Sequence, residues 1–297
     1  IAYMNPSMNL FQKLASRLGY PITMIASLYL YYQLSQLDIA PQTSAVIAIL
    51  FGALLVTLLE MYLPYRKAWR ENLSDFANDA AYMIFVQVAL PRIVAFLVTV
   101  TLLKYLNTQG LTLSFLWSHQ LPIWLQAVIM LLIADFLRYW FHRANHRYIF
   151  LWELHKVHHS PKKLYWVNTG RFHPIEKTIQ LFADTVPFLI LGVPPQVLAI
   201  YFTFYSVNGF FQHCNIDLKL GFLKYIVSGP ELHHWHHSIH PEEGNKNLGS
   251  NLIIWDIFFG TWYLPKDREV GELGILDADY PLDFLSQPAA PFTHKHD

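Results

Sequence analysis

The stretch whose reading decides the fold is DFLRYWFHRANHRYIFLWELHKVHHSPKKLYWVNTGRFHPIE, Asp135–Glu176. It opens as the end of an apolar helix and carries His142-x-x-x-His146, then His155-x-x-His158-His159. A matching His233-x-x-His236-His237 follows further along. Residues three or four apart on a helix lie one above the other on the same face, so each cluster aims its imidazoles at one point. Three such clusters predict a metal site.

Working outward from that stretch, the chain upstream is a series of apolar runs. Ser44–Leu63, Ala80–Leu103 and Leu121–Phe141 match the roughly 20 residues a bilayer requires, and Tyr20–Leu37 comes close. Pro91 and Arg92 sit in the middle of the third run. This predicts either a kinked helix or two shorter elements meeting there, because an Arg at that depth needs a polar interior. Downstream, Thr178–Phe211 is broken by Pro194-Pro195 into halves short for a span. A hairpin there would return the chain to the face it left, as a metal site shared by the later clusters requires.

Composition agrees with the membrane reading. The chain is 54% hydrophobic and only 14% charged, against roughly 25% charged in soluble domains. Its net charge is zero and it has no basic run, so nothing points to nucleic acid and no such partner is expected. The lone Cys214 rules out an internal disulfide or an iron–sulfur cluster held by this chain alone, and reads as an inert buried thiol. The expected fold class is therefore an all-α integral membrane protein. It has about four transmembrane helices plus a re-entrant or short helical hairpin, with a cytosolic helical cap carrying the histidine clusters. Residues 1–134 would form the spans, 135–264 the histidine-box catalytic region and 265–297 a polar C-terminal tail, all in one continuous domain. With four spans, Lys13, Arg17, Arg66, Lys67, Arg70, Arg143, Arg147 and Lys156 fall on one side, and the positive-inside rule makes that side cytoplasmic.

The clusters supply eight histidines: His142, His146, His155, His158, His159, His233, His236 and His237. Imidazole suits iron, zinc, copper or nickel, so ligand type alone leaves the metal open. Eight exceed the four ligands of a closed structural zinc site, which favours two metals. His173 in RFHPIE and His213 in QHCN are the ninth and tenth candidates. His234 and His240 flank the third cluster and read as non-ligands; His119, His294 and His296 read as surface residues. Asp135, Arg138, Glu153, Glu176, Glu231 and Asp256 lie where they would orient a ligand ring or serve equally as ordinary charges. No side chain beyond the ligands is assigned a catalytic role.

From Asp135 to Tyr263 the chain resembles the fatty acid hydroxylase/sterol desaturase superfamily of membrane histidine-box enzymes. The matching pieces are D-x-x-x-Y-W-x-H-R-x-x-H (Asp135–His146), L-W-E-L-H-K-V-H-H-S (Leu151–Ser160), N-T-x-R-x-H-P-x-E (Asn168–Glu176) and Q-H-C-N (Gln212–Asn215). After these come H-H-W-H-H-S (His233–Ser238), N-L-G (Asn247–Gly249) and W-D-I-F-F-G-T-W (Trp255–Trp262). The resemblance implies two iron ions held by the box histidines, with O₂ used to hydroxylate or desaturate a lipid C–H bond. An unactivated C–H bond needs an oxidant stronger than any side chain, which agrees with a redox metal. Trp140, Phe141, Trp152, Tyr165, Trp166, Trp255, Phe258, Phe259, Trp262 and Tyr263 read first as an interfacial aromatic belt and second as the lining of the lipid's approach. No dinucleotide, haem or iron–sulfur motif is present, so electrons come from a separate donor protein. The rival readings are a histidine-rich metal transporter, whose ligands would lie near the middle of the spans, and a catalytically silent member that holds zinc.

Overall fold

The computed structural model describes residues 8–111 and 113–293. Among these the chain is helical, with isolated bridges such as Pro64–Ile216 and Val227–Leu252 in place of strands. Helix α1 is Leu10–Ser35, α2 is Pro41–Tyr62, α3 is Leu73–Thr108 and α4 is Ile123–Asn145. Three of them, α2, α3 and α4, are long and apolar enough to cross a membrane. The first expected span, in α1, has the length, but Tyr20, Tyr29, Tyr31, Tyr32 and its Ser, Thr and Gln residues dilute its apolar character.

Small residues set how closely these helices pack. The buried face of α2 is Ser44, Ala45, Ala48, Gly52, Ala53 and Val56, a stripe repeating every four residues. Such stripes let membrane helices approach until backbone meets side chain. At Gly52 a Cβ would stand 2.7 Å from Val207 and 2.9 Å from Ser27 Oγ, so nothing larger fits without displacement. The opposite face of α2 presents Leu50, Leu54, Leu58 and Met61 outward.

Of the two alternatives for the third span, the single helix is the one realised. Instead of two elements meeting at Pro91, α3 continues without a break for 36 residues. Proline lacks the N–H that would bond the preceding turn. Here the chain winds as a wider π-helix over Tyr82–Ala89, just before Pro91, and again over Thr99–Leu103. A π-turn absorbs the mismatched ladder without ending the helix. Arg92 borders a cavity and is itself exposed.

Beyond α4 the chain builds a cap. Helix α5 is Ile149–His159, α6 is Pro174–Asp184, α7 is Val186–Ile190 and α8 is Pro195–His213. The segment from α6 to α8 makes the expected excursion, turning at Leu191–Pro194, with α6 packed on α4 and α8 packed against α1, α2 and α4. Glu60, at the end of α2, fastens the cap to the spans: its Oε1 accepts N–H bonds from Asn215 at 2.6 Å and Trp166 at 3.2 Å. Short helices α9 (Pro230–His236), α10 (Pro241–Gly244) and α11 (Ile254–Phe259) complete the cap. Residues 265–293 lie against it, and in this expected polar tail Val270, Leu273, Tyr280 and Gln287 are buried.

Candidate metal centre

Nine of the ten candidate histidines converge. His142, His146, His155, His159 and His236 form one group, and His158, His213, His233 and His237 another; within each group one ring nitrogen per residue lies within 4.8 Å of all the others. They arrive from the end of α4, from α5, from the end of α8 and from α9. The i, i+3 and i, i+4 spacings of the boxes serve this convergence, but one helix can feed both groups: on α5, His155 and His159 join the first and His158 the second.

What each ring does with its other nitrogen fixes its tautomer. His142 Nδ1–H donates to Leu248 O at 2.7 Å, His236 Nδ1–H to Lys246 O at 3.0 Å and His158 Nδ1–H to Arg171 O at 3.2 Å. Carbonyl oxygens only accept, so these Nδ1 atoms carry the proton. His155 Nδ1–H donates to Glu176 Oε1 at 2.8 Å, and His213 Nδ1–H to Asn168 Oδ1 at 2.8 Å. His146 Nδ1 pairs with Asn245 Oδ1 at 3.0 Å. In each ring Nε2 is left as the inward-facing lone pair. Burial first, and then the neighbouring imidazoles, push His158, His159, His233, His236 and His237 well below the usual histidine range, so these rings are neutral at pH 7.

That arrangement fits metal ions and little else. His142 Nε2 and His155 Nε2 face each other at 3.0 Å, although both Nδ1 atoms hold the protons and neither Nε2 has one to share. Nε2 of His146, His159, His213 and His236, and Nδ1 of His233 and His237, are buried without a hydrogen-bond partner among the described residues. Buried polar atoms are rarely left so. Six in one place, on buried imidazoles, form a set that could hold divalent transition metals.

A short loop sets the first group. Asn245, Lys246 and Leu248 contact three of its rings. Asn247 takes a left-handed conformation, φ 54°, with its side chain bonded to Leu232 O, Tyr263 O and Tyr263 N–H. Gly249 has no room for a Cβ, which would lie 2.3 Å from Leu252 O. Asp256 accepts the N–H groups of Leu248 and Gly249, each at 2.7 Å, while Asp135 of α4 accepts those of Asn251 at 2.7 Å and Leu252 at 3.0 Å. Asp135 and Asp256 thus shape the loop rather than touch a ligand ring. Of the candidate carboxylates only Glu176 bonds one directly; Glu153 pairs with Lys156 at 2.7 Å, and Glu231 accepts Leu220 N–H at 2.6 Å.

The structure places His173 apart from both groups. It is the N-cap of α6, where Nδ1 accepts Ile175 N–H at 3.1 Å and Nε2–H donates to Pro288 O at 3.0 Å. His234 donates from Nε2 to Cys214 O at 3.0 Å among Tyr65 and Trp69, and Cys214 is a buried free thiol. His119 and His240 are exposed, whereas His294 and His296 lie outside the described residues. Asn168, Asn245 and the carbonyls of Lys246 and Leu248 went unrecognised in the sequence; only Asn168 and Leu248, inside quoted boxes, carried a signal there.

Both groups open onto a cavity of about 970 Å³, bordered by His142, His155, His158, His213 and His233 and also by α2 and α3 residues such as Ile49, Leu50 and Phe96. Among the aromatic residues read first as an interfacial belt and second as the lining of the approach, only Phe141 borders it; Trp140 and Phe258 are exposed.

Residues 127–261 match the fatty acid hydroxylase family. The chain is 34% identical over 244 residues to ornithine lipid hydroxylase OlsE of Rhizobium tropici, covering 81% of this chain and 73% of that protein. It is 32% identical over 139 residues to human alkylglycerol monooxygenase (46% of this chain, 30% of that one). With sphinganine C4-monooxygenase 1 of Arabidopsis thaliana it shares 26% identity over 159 residues, 52% of this chain and 59% of the relative. No solved structure matches it significantly.

Proposed function

The chain belongs to the fatty acid hydroxylase family, and from that premise we propose that it is a membrane-bound oxidoreductase using O₂ and a di-iron centre to hydroxylate or desaturate a lipid C–H bond. The observation that carries this reading is the junction of two all-imidazole groups with a cavity that reaches the apolar helices α2 and α3. His142, His146, His155, His159 and His236 would hold one iron, and His158, His213, His233 and His237 the other. Bound there, two irons would supply O₂ activation toward an unactivated C–H bond, chemistry beyond any side chain.

The protein's own part is orientation and exclusion. Leu248 O, Lys246 O, Arg171 O, Glu176 and Asn168 fix the rings. Burial keeps water out, and the cavity admits an acyl chain from the lipid phase. The basic flanks Arg66, Lys67 and Arg143 favour a cytoplasmic histidine face, where a separate electron-donor protein would reach it. Nothing favours transport: among the described residues no histidine lies in the middle of a candidate span.

The deciding experiment is metal analysis with O₂ consumption on detergent-purified protein, given a reductant and a mixed lipid extract. The expected result is approximately two irons per chain, on the two-group geometry, with lipid-dependent uptake. Zinc alone and no uptake after iron reconstitution would replace this reading with that of a silent zinc-binding member.

A further inference from the structure

We infer that Lys177 is the anchor for an anionic group, a carboxylate or phosphate, on the lipid substrate; this rests on the reading of the cavity as the lipid site. Lys177 follows Glu176 on α6. Glu176 turns to His155, whereas Lys177 borders the cavity, and only 5% of it is exposed. Its Nζ donates to Tyr205 OH at 3.2 Å and stands over the rings of Tyr205 and Phe172, 5.4 and 5.6 Å from their centroids. An ammonium has three donors, and one phenol satisfies one of them. Among the described residues no carboxylate lies within ion-pair distance of Nζ.

The neighbouring charges are already committed. Arg138, also on the cavity wall, is held by Asp184 at 3.1 Å and Gln180 at 2.9 Å. Glu176 Oε1 is shared among His155, Asn145 and Gln180, and its Oε2, though without a hydrogen-bond partner among the described residues, forms no ion pair with Lys177. Arg92, also on the wall, is exposed, so Lys177 is the buried cation of this largely apolar cavity with no carboxylate partner among the described residues. A buried charge is costly unless paired, and the missing partner is an anion that enters with the ligand. The position suits a substrate: Phe172, under the ammonium, is stacked on His158 at 4.3 Å, so a single ring separates the anchor from a ligand of the second group.

The test uses the full-length protein in detergent and two lipid pairs matched in chain length: a long-chain N-acyl amino acid with its methyl ester, and a lysophosphatidic acid with the corresponding monoacylglycerol. Equilibrium binding is measured alongside O₂ uptake. The wild type should bind the anionic member of at least one pair about tenfold more tightly, the worth of one charge-assisted hydrogen bond. Lys177→Met should reduce that ratio to near one while leaving the neutral lipid's affinity unchanged, and Lys177→Arg should preserve it. The pair that discriminates separates carboxylate from phosphate. No anion preference in the wild type, or one that survives Lys177→Met, overturns the inference, and the wild-type comparison decides even if the Met variant misfolds. Charge-selective binding without O₂ uptake from any lipid would sink the oxidase reading and leave the anchor standing; uptake without selectivity would do the reverse.

Discussion

The five-histidine and four-histidine groups are made of the same side chain but are held differently. In the first, four of five rings have Nδ1 on an oxygen: Leu248 O, Asn245 Oδ1, Glu176 Oε1 and Lys246 O. In the second only His158 and His213 do, while Nδ1 of His233 and His237 is buried without a partner among the described residues. A carboxylate or carbonyl on the far nitrogen fixes a ligand's tautomer and raises its basicity. On the proposed reading the first group would be set by the protein before metal arrives, whereas part of the second would be left for the metal itself to orient.

That contrast can be broken most forcefully by removing ligands. His236→Ala and His158→Ala should each abolish turnover, with the first lowering metal content at the five-histidine group and the second at the other. Metal analysis with O₂ uptake checks this, and full metal and activity in either variant would dismiss the grouping. Next in size, Glu176→Gln should weaken one metal of the two by about 10–100-fold, the usual cost of a lost carboxylate partner. Competition with a chelator would show whether one metal leaves first; simultaneous loss of both would erase the distinction between groups. Gly249→Ala, which forces the Leu248 carbonyl to move, should weaken the same metal to a smaller degree. The smallest effect belongs to His173→Ala: unchanged metal content, with a loss of about 1 kcal/mol of stability, typical for an N-cap, seen as a lower thermal midpoint. Loss of metal there would return His173 to the ligand set.

The parts legible in the sequence were those with a length or a period. The length of the apolar runs carried the spans, and helical spacing carried the boxes, because i, i+3 and i, i+4 are geometric facts about a helix. The His173 assignment stayed open because a histidine before Pro174, with Glu176 three positions on, is also the pattern of a helix start, and that pattern is the one realised. Pro91 left a kinked helix and two shorter elements both open, and the π-turn kept the helix continuous, since the sequence does not say how a helix will relax around a proline. The cavity wall was hidden for a different reason. Lys177, Tyr205 and Arg138 come together from α6, α8 and α4, a proximity with no linear trace.

The unbroken run of α3 also bears on how the molecule sits in a bilayer. At about 1.5 Å per residue its 36 residues extend roughly 54 Å, against about 30 Å of hydrocarbon. A rod that long must lean steeply or push an end into the headgroups. Because α3 residues border the cavity, on the proposed reading its slant would set the angle at which a lipid slides in. Membrane thickness thereby becomes a handle on substrate entry, acting with no change in the metal ligands.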